Sequence, residues 1–183
     1  MDEFVKSPRN RLLLAAGDLF RSRGFHATGI DLILQEAGAA KASLYQHFGS
    51  KDALAAEVLR FKSGKVLAWL KGFADRNPGQ EFEALFAAYA EWFEEDAFRG
   101  CLFSRAAQEY PDRAHPAHKA AAAHTRKLFC YLDDLCRDRG APAGSAEHLL
   151  VLLEGATGVA AKTGAGRAPA DRALDAARSL LGL

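Results

Sequence analysis

The chain has 183 residues, 49% hydrophobic and 26% charged, an ordinary globular composition with enough apolar residues for a real core. No run of about 18 or more apolar residues occurs, which excludes a membrane-spanning helix, and the polar start "MDEFVKSPRN" is not expected to act as a signal peptide, so a cytoplasmic location is expected. Net charge is +1, but residues 1–65 hold ten Lys and Arg against seven Asp and Glu, while residues 66–183 hold fourteen against sixteen; this basic excess at the front is too small to identify a nucleic-acid binder alone.

The pattern is helical nearly throughout. Ser7-Pro8 reads as a helix start, a hydroxyl to accept an orphan N–H followed by proline at the first helical position. Leu12, Ala16, Leu19 and Phe20 repeat as one apolar stripe, Arg21 and Arg23 suit the last turn, and Gly24 can stop the helix in the left-handed conformation, which predicts a helix over 8–23. In "ATGIDLILQEAG", Thr28 and Asp31 have capping-box spacing. Ile30, Ile33, Leu34 and Ala37 form a stripe closed by Gly38. "AAKASLYQHF" gives another short helix with Leu44 and Phe48 inward. Ser50 caps a fourth helix over roughly 51–72, with Asp52 near its positive end and Gly64 as its weak point.

Five more helices follow. "QEFEALFAAYAEWFEE" places Phe82, Leu85, Phe86, Tyr89 and Phe93 on one face. A short segment from Cys101 to Tyr110 is closed by Pro111, and Pro116 opens a long helix ending near Gly140. "SAEHLLVLLEGATGVAAK" and "APADRALDAARSLLGL" finish the chain, separated by "TGAGR". The expectation is an all-α protein of about nine helices, without internal repeat, alternating strand pattern or low-complexity block.

Two short helices joined by a glycine-containing turn have the helix-turn-helix form, whose second helix enters the major groove. The segment from Lys41 to His47 suits it. Leu44 and Phe48 anchor the helix and leave Lys41, Ala42, Ser43, Tyr45, Gln46 and His47 outside. Lys41 can neutralise a phosphate or read guanine, Gln46 can pair with adenine, and Ala42 and Ser43 are small enough for approach to a thymine methyl. Thr28, Tyr45, His47 and Lys51 suit phosphates. Pattern alone also fits an amphipathic helix with a solvated face, or an interaction module that binds protein. A helical enzyme is the rival from another class, but no nucleophile–base set, phosphate-cradling glycine motif or carboxylate–histidine metal motif is present.

Residues 24–54 resemble the TetR family of transcriptional regulators. The resemblance lies in Gly24-Phe25, Ala27-Thr28, Ile30, Ile33, Ala37-Gly38, Lys41, Leu44-Tyr45, His47-Phe48, Ser50-Lys51 and Leu54. It implies an N-terminal three-helix DNA-binding domain over 1–50 and a larger effector-binding and dimerisation domain over 51–183. It implies a homodimer on palindromic double-stranded DNA, commonly a repressor released by a small-molecule effector, with an activator of the same fold as the alternative. The fourth helix, joining head to body, is the expected lever. Three positions depart from the common pattern. Ala40 replaces a hydroxyl cap, Ala39 replaces a larger aliphatic residue, and Leu32 stands where an acidic residue is frequent.

The resemblance places an effector pocket among helices four to seven, with Trp69, Phe86, Tyr89, Phe93, Phe103 and Phe129 as candidate lining for a largely apolar ligand of unknown identity. Each of these rings also fits an ordinary core. The last two helices carry Leu149, Leu152, Leu153, Ala156, Val159 and Ala160, then Leu174, Ala177, Leu180 and Leu181. These stripes fit a dimer interface, which the resemblance favours, or the monomer core. No cofactor or metal is expected. His115 and His118 have a spacing a metal can use, but Pro116 lies between them and no third ligand is evident. Three cysteines without a Cys-x-x-Cys pair argue against a disulfide framework; Cys101, Cys130 and Cys136 are candidates for redox sensing or for plain burial.

Overall fold

The computed structural model describes residues 7–181, so residues 1–6 and the last two residues, expected before the first helix and at the end of the ninth, lie outside it. Among the described residues there are nine α-helices and no strand. They are α1 Pro8–Arg23, α2 Ile30–Ala37, α3 Lys41–Phe48, α4 Lys51–Arg76, α5 Glu81–Glu94, α6 Leu102–Glu109, α7 Pro116–Asp138, α8 Ser145–Thr163 and α9 Ala168–Leu181. The fold is all-α, with an N-terminal helix-turn-helix followed by a larger set of helices. Among the described residues no helix is long and apolar enough to cross a membrane.

The chain packs as two compact units, one of residues up to 63 with 102–124, the other of residues 64–101 with 125 onwards. Helix α6 therefore packs with the head although it is remote in sequence. The chain passes from one unit to the other within α4, just before α6 and within α7.

In the first unit the predicted α1 stripe is the core: Leu12, Ala16 and Phe20 are fully buried, joined by Ile33, Leu44, Leu54, Val58 and Leu59. Gly38 ends α2 as expected, taking the left-handed values φ 55 and ψ 44. Its N–H and that of Ala39 return to the Gln35 and Leu34 carbonyls, closing α2 and aiming the chain into α3. Ser50 Oγ accepts the Ala53 amide at 3.1 Å, the predicted cap of α4. That helix runs 26 residues, past the expected end near 72. The cost of Gly64, about 1 kcal/mol, does not interrupt it.

Two predicted caps do not form. Ser7 gives no side-chain cap; its carbonyl accepts the Asn10 and Arg11 amides instead. The Thr28–Asp31 box is absent because Gly29 is the N-cap of α2.

The second unit is built on α5, whose Phe82, Leu85, Phe86, Tyr89 and Phe93 are buried as the stripe predicts. Helices α8 and α9 pack on each other and both pack on α5. Leu128, Leu132, Leu149, Leu153, Ala156, Ala160, Ala177 and Leu181 complete this core.

Gly24 ends α1 with φ 92 and ψ 169, a positive φ with extended ψ rather than the left-handed helical values expected. A Cβ built there would lie 2.7 Å from Glu109 Oε1. Gly24→Ala is therefore expected to lower stability by about 1–3 kcal/mol from backbone strain. Chemical denaturation checks this, and Glu109→Ala in the same chain should relieve the contact but leave the backbone cost.

Candidate nucleic-acid interface

Helix α3 has only eight residues, too few to persist alone in water. It is held by burying Leu44 completely and Phe48 almost completely, and it packs on α1 and α2. The remaining side chains form one surface. Lys41, Ala42, Gln46 and His47 are exposed, Ser43 and Lys51 are half-buried, and Tyr45 keeps 45% of its surface in solvent. Among the described residues the side chains of Lys41, Tyr45 and Gln46 have no hydrogen-bond or ion-pair partner. Ala40 and Gly29 give α3 and α2 no side-chain cap; at α3 the Ser43 amide returns to the Ala40 carbonyl instead.

Thr28 is the exception among the predicted DNA-facing residues. It is fully buried. Its hydroxyl donates to the Gly24 carbonyl at 2.6 Å, with the Leu19 carbonyl at 3.4 Å. The side chain ties the end of α1 to the start of α2 and does not belong to the exposed surface; its expected phosphate role is corrected to an internal one.

The loop that delivers the chain to α2 is held from α6, a tie with no signal in local sequence. Arg105 Nη1 donates to the Arg21 carbonyl at 2.9 Å and to Phe20 at 3.4 Å, a cation on the last carbonyls of α1. Glu109 accepts the His26 amide at 2.7 Å, and the His26 ring donates to the Glu109 carbonyl. Tyr110 packs edge-on to Phe25 and stacks on His115, at 5.6 and 4.1 Å between centroids. Burial, with Asp52 and Glu109 adding to it, pushes the Tyr110 phenol up to about 12. His115 accepts the Ala117 amide at the start of α7 and faces Asp52 at 3.3 Å. The His118 ring donates to the Tyr110 carbonyl at 2.8 Å. Both histidines thus brace the α6–α7 corner.

The predicted effector residues divide between the units. Phe103 packs in the first, its ring stacked 3.5 Å from His124. In the second unit Trp69, Tyr89 and Phe93 join an aromatic cluster that also contains Phe73, Trp92 and Phe98, three rings the sequence reading left out. Phe86 is buried and Phe129 partly so in the same core. The Tyr89 phenol is held well above its ordinary value by burial first, with Cys101, Glu154 and Tyr131 as smaller causes. Cys136 is buried, which pushes its thiol up, and Cys130 is exposed.

Most of the predicted dimer residues face inward. Leu149, Leu153, Ala156, Ala160, Ala177 and Leu181 are buried within their own unit, because that face of α8 and α9 packs on α5 and on each other. Leu152 and Leu174 are partly buried. The apolar residues left outside are Val151 at 71%, Val159 at 50% and Leu180 at 53% exposure. Val151 and Val159 line an open groove of about 470 Å³ with Leu152, Gly155, Pro169 and Arg172.

A short helix carried on two buried anchors behind a glycine-cornered turn, its polar face unpaired, defines a helix-turn-helix DNA-binding protein. The family model described as "Bacterial regulatory proteins, tetR family" matches residues 12–58. The HTH-type transcriptional activator FasR of Mycolicibacterium smegmatis is 32% identical over 149 residues, 79% of this chain; the chain spans 66% of that activator's length. An HTH-type transcriptional regulator of Mycobacterium tuberculosis is 31% identical over 164 residues, 83% of either chain. A TetR-family transcriptional regulator from Streptomyces coelicolor superimposes with a TM-score of 0.87 at 29% identity, covering 96% of this chain and 94% of that one. The chain belongs to the TetR family: it is a DNA-binding transcriptional regulator and not an enzyme.

Thr28→Val keeps the shape of the buried side chain and removes its hydrogen bond. A stability loss of about 1–2 kcal/mol is expected, with the salt dependence of DNA binding unchanged. Denaturant titration and binding at several salt concentrations check the two halves.

Proposed function

We propose that the chain is a homodimeric repressor that leaves a palindromic operator when a small, largely apolar effector binds. The α3 surface carries this reading: side chains rich in donors and acceptors, unpaired in the free chain, on a helix with just enough apolar anchor to stay in place. Lys41 meets a phosphate or guanine, Gln46 meets adenine, and Ala42 and Ser43 allow close approach to a thymine methyl. Tyr45, His47 and Lys51 meet phosphates and fix the register. The functional boundary falls near residue 50, where α3 ends and α4 begins, and the regulator works in the cytoplasm on double-stranded DNA.

The groove along α8 and α9 is the face that receives a second copy. Its exposed Val151 and Val159 lie beside Gly155, where a Cβ would meet no atom within 4 Å, so a partner helix can come close. Two-fold pairing on this face presents two copies of α3 to the operator about one DNA turn apart. The aromatic cluster around Trp69, Tyr89 and Phe93 is the effector site, with Phe86 and Phe129 at its edge and Tyr89 beside Cys101 and Glu154 as its polar group. Effector and DNA favour different arrangements of the same dimer, so each weakens the other's binding reciprocally. The α4 helix is the lever, and the ties of Arg105 and Glu109 pass its state to the loop before α2. Repression requires only that the operator be occupied, whereas activation requires a further contact with the transcription machinery. The similarity to FasR, an activator by name, makes activation the second reading.

Selection of bound duplexes from random DNA, repeated with a panel of small molecules, tests the whole reading. A palindromic consensus whose occupancy falls with one ligand class is expected; failure to enrich any sequence contradicts it. On that duplex, Lys41→Ala should weaken binding and lower the salt slope by about one ion per contact if Lys41 meets a phosphate; an unchanged slope with altered sequence preference assigns it to base reading. Tyr45→Ala should impair operator binding with the dimer intact, and undiminished affinity would count against this docking. Val159→Asp puts like charges into the proposed dimer face and should yield monomers in sedimentation with helical content preserved. A persistent dimer would place the interface elsewhere.

A further inference from the structure

Leu44 and Phe48 are the only buried residues of α3, and they lie one helical turn apart on one line along it. Two anchors on such a line resist lifting but resist rolling about it poorly, and a roll changes which side chains face a groove. Something else must fix that angle. We propose that Arg9 and Arg11, in the first two turns of α1, are the positioning residues: Arg11 sets the turn that enters α3 and Arg9 fixes the end where it leaves.

Arg11 Nε donates to the Ala37 carbonyl at 3.0 Å and its Nη2 to the Gly38 carbonyl at 3.2 Å. These are successive carbonyls at the corner between α2 and α3. The neighbouring Leu34 and Gln35 carbonyls already accept the Gly38 and Ala39 amides. One planar guanidinium thus spans the turn from its outer side, and a single-point ammonium cannot reproduce that fork. At the other end, the Arg9 guanidinium carbon lies 5.3 Å from the centroid of the Phe48 ring. Its Nη2 pairs with Glu57 Oε2 of α4 at 3.2 Å, and Glu57 also holds Arg60. Phe48 closes α3, so Arg9 holds that end between α1 and α4. The Arg9–Glu57 side chains are 41% and 35% exposed, and such pairs contribute little to stability. Their effect is on where α3 points more than on whether the head folds.

This inference rests on DNA binding through α3, and the test keeps the two apart by first using the wild-type protein to recover its own duplex from random DNA. That duplex is then titrated at several salt concentrations with Arg11→Ala, Arg11→Lys, Arg9→Ala and Arg9→Lys, while thermal midpoints and dimer state are measured on the free proteins. Arg11→Ala and Arg11→Lys should both bind about tenfold or more weakly, the loss of one misaligned bidentate base contact. The salt slope should not change, and the midpoints should stay close to wild type. Arg9→Ala should behave alike, and Arg9→Lys, which retains a cation over Phe48 and beside Glu57, should recover most of the affinity. Wild-type affinity in Arg11→Lys, or a salt slope lower by about one ion in Arg11→Ala, would overturn the proposal, the latter by making Arg11 a direct phosphate contact. If Arg11→Ala fails to fold, Arg11→Lys and Arg9→Ala decide the matter by the same criteria. A wild-type protein that recovers no duplex would instead defeat the DNA reading itself.

Discussion

An eight-residue helix with two buried side chains cannot hold itself together in water, and the head of this protein is arranged around that fact. The recognition helix exists because Leu44 and Phe48 are taken into a core built mainly by α1, because Gly38 turns the chain at the required angle, and because carbonyls left over at the corner are taken by Arg11. What remains outside is the set of polar side chains that the fold does not use. A surface whose hydrogen-bonding groups are unspent is suited to a partner rich in acceptors and donors, and a duplex groove is such a partner.

The head is also not made by the N-terminal segment alone. Helix α6 and the corner after it pack with it, and they hold the loop before α2 through charge on exposed ends: Arg105 on the last carbonyls of α1, Glu109 on the His26 amide. Thr28 completes the same knot from inside. Gly24 is required in this knot because its φ of 92 strains any side-chain-bearing residue, and a Cβ there would also crowd the Glu109 carboxylate. The segment that sets the approach of the helix-turn-helix is therefore fixed by residues more than eighty positions away in sequence.

Much of this was legible in the sequence. Every helix was expected from apolar periodicity or from its start and stop residues, and Gly38 and Ser50 do what their residue types foretell. The α3 surface could be read because Leu44 and Phe48 at i, i+4 leave one way for the others to face. The failures have common causes. Ser7 and Thr28 have the right hydroxyls near helix starts, but Ser7 forms no side-chain cap and Thr28 falls one residue before the N-cap Gly29, its hydroxyl donating to the Gly24 carbonyl. An apolar stripe on α8 says that a face is covered, not by what, and α5 and α9 cover it. Val159 belongs to the stripe named from the sequence, whereas the exposed Val151 lies between the inward residues and does not stand out as a pattern. Phe103 was grouped with the body by its place in the chain, whereas its helix packs with the head. Arg9, Arg11, Arg105 and Glu109 carry no local signature because their partners are backbone carbonyls, amides and rings in other helices.

The central claim is that the outer face of α3 docks in a major groove. It is tested most directly by methylating guanine N7, which protrudes only into that groove, across a duplex selected by the protein and asking which modified positions are excluded from the bound fraction. Exclusion confined to two short clusters about one helical turn apart, and lost in Tyr45→Ala, is the predicted result. Binding indifferent to N7 methylation at every position, or undisturbed in that variant, would contradict the account.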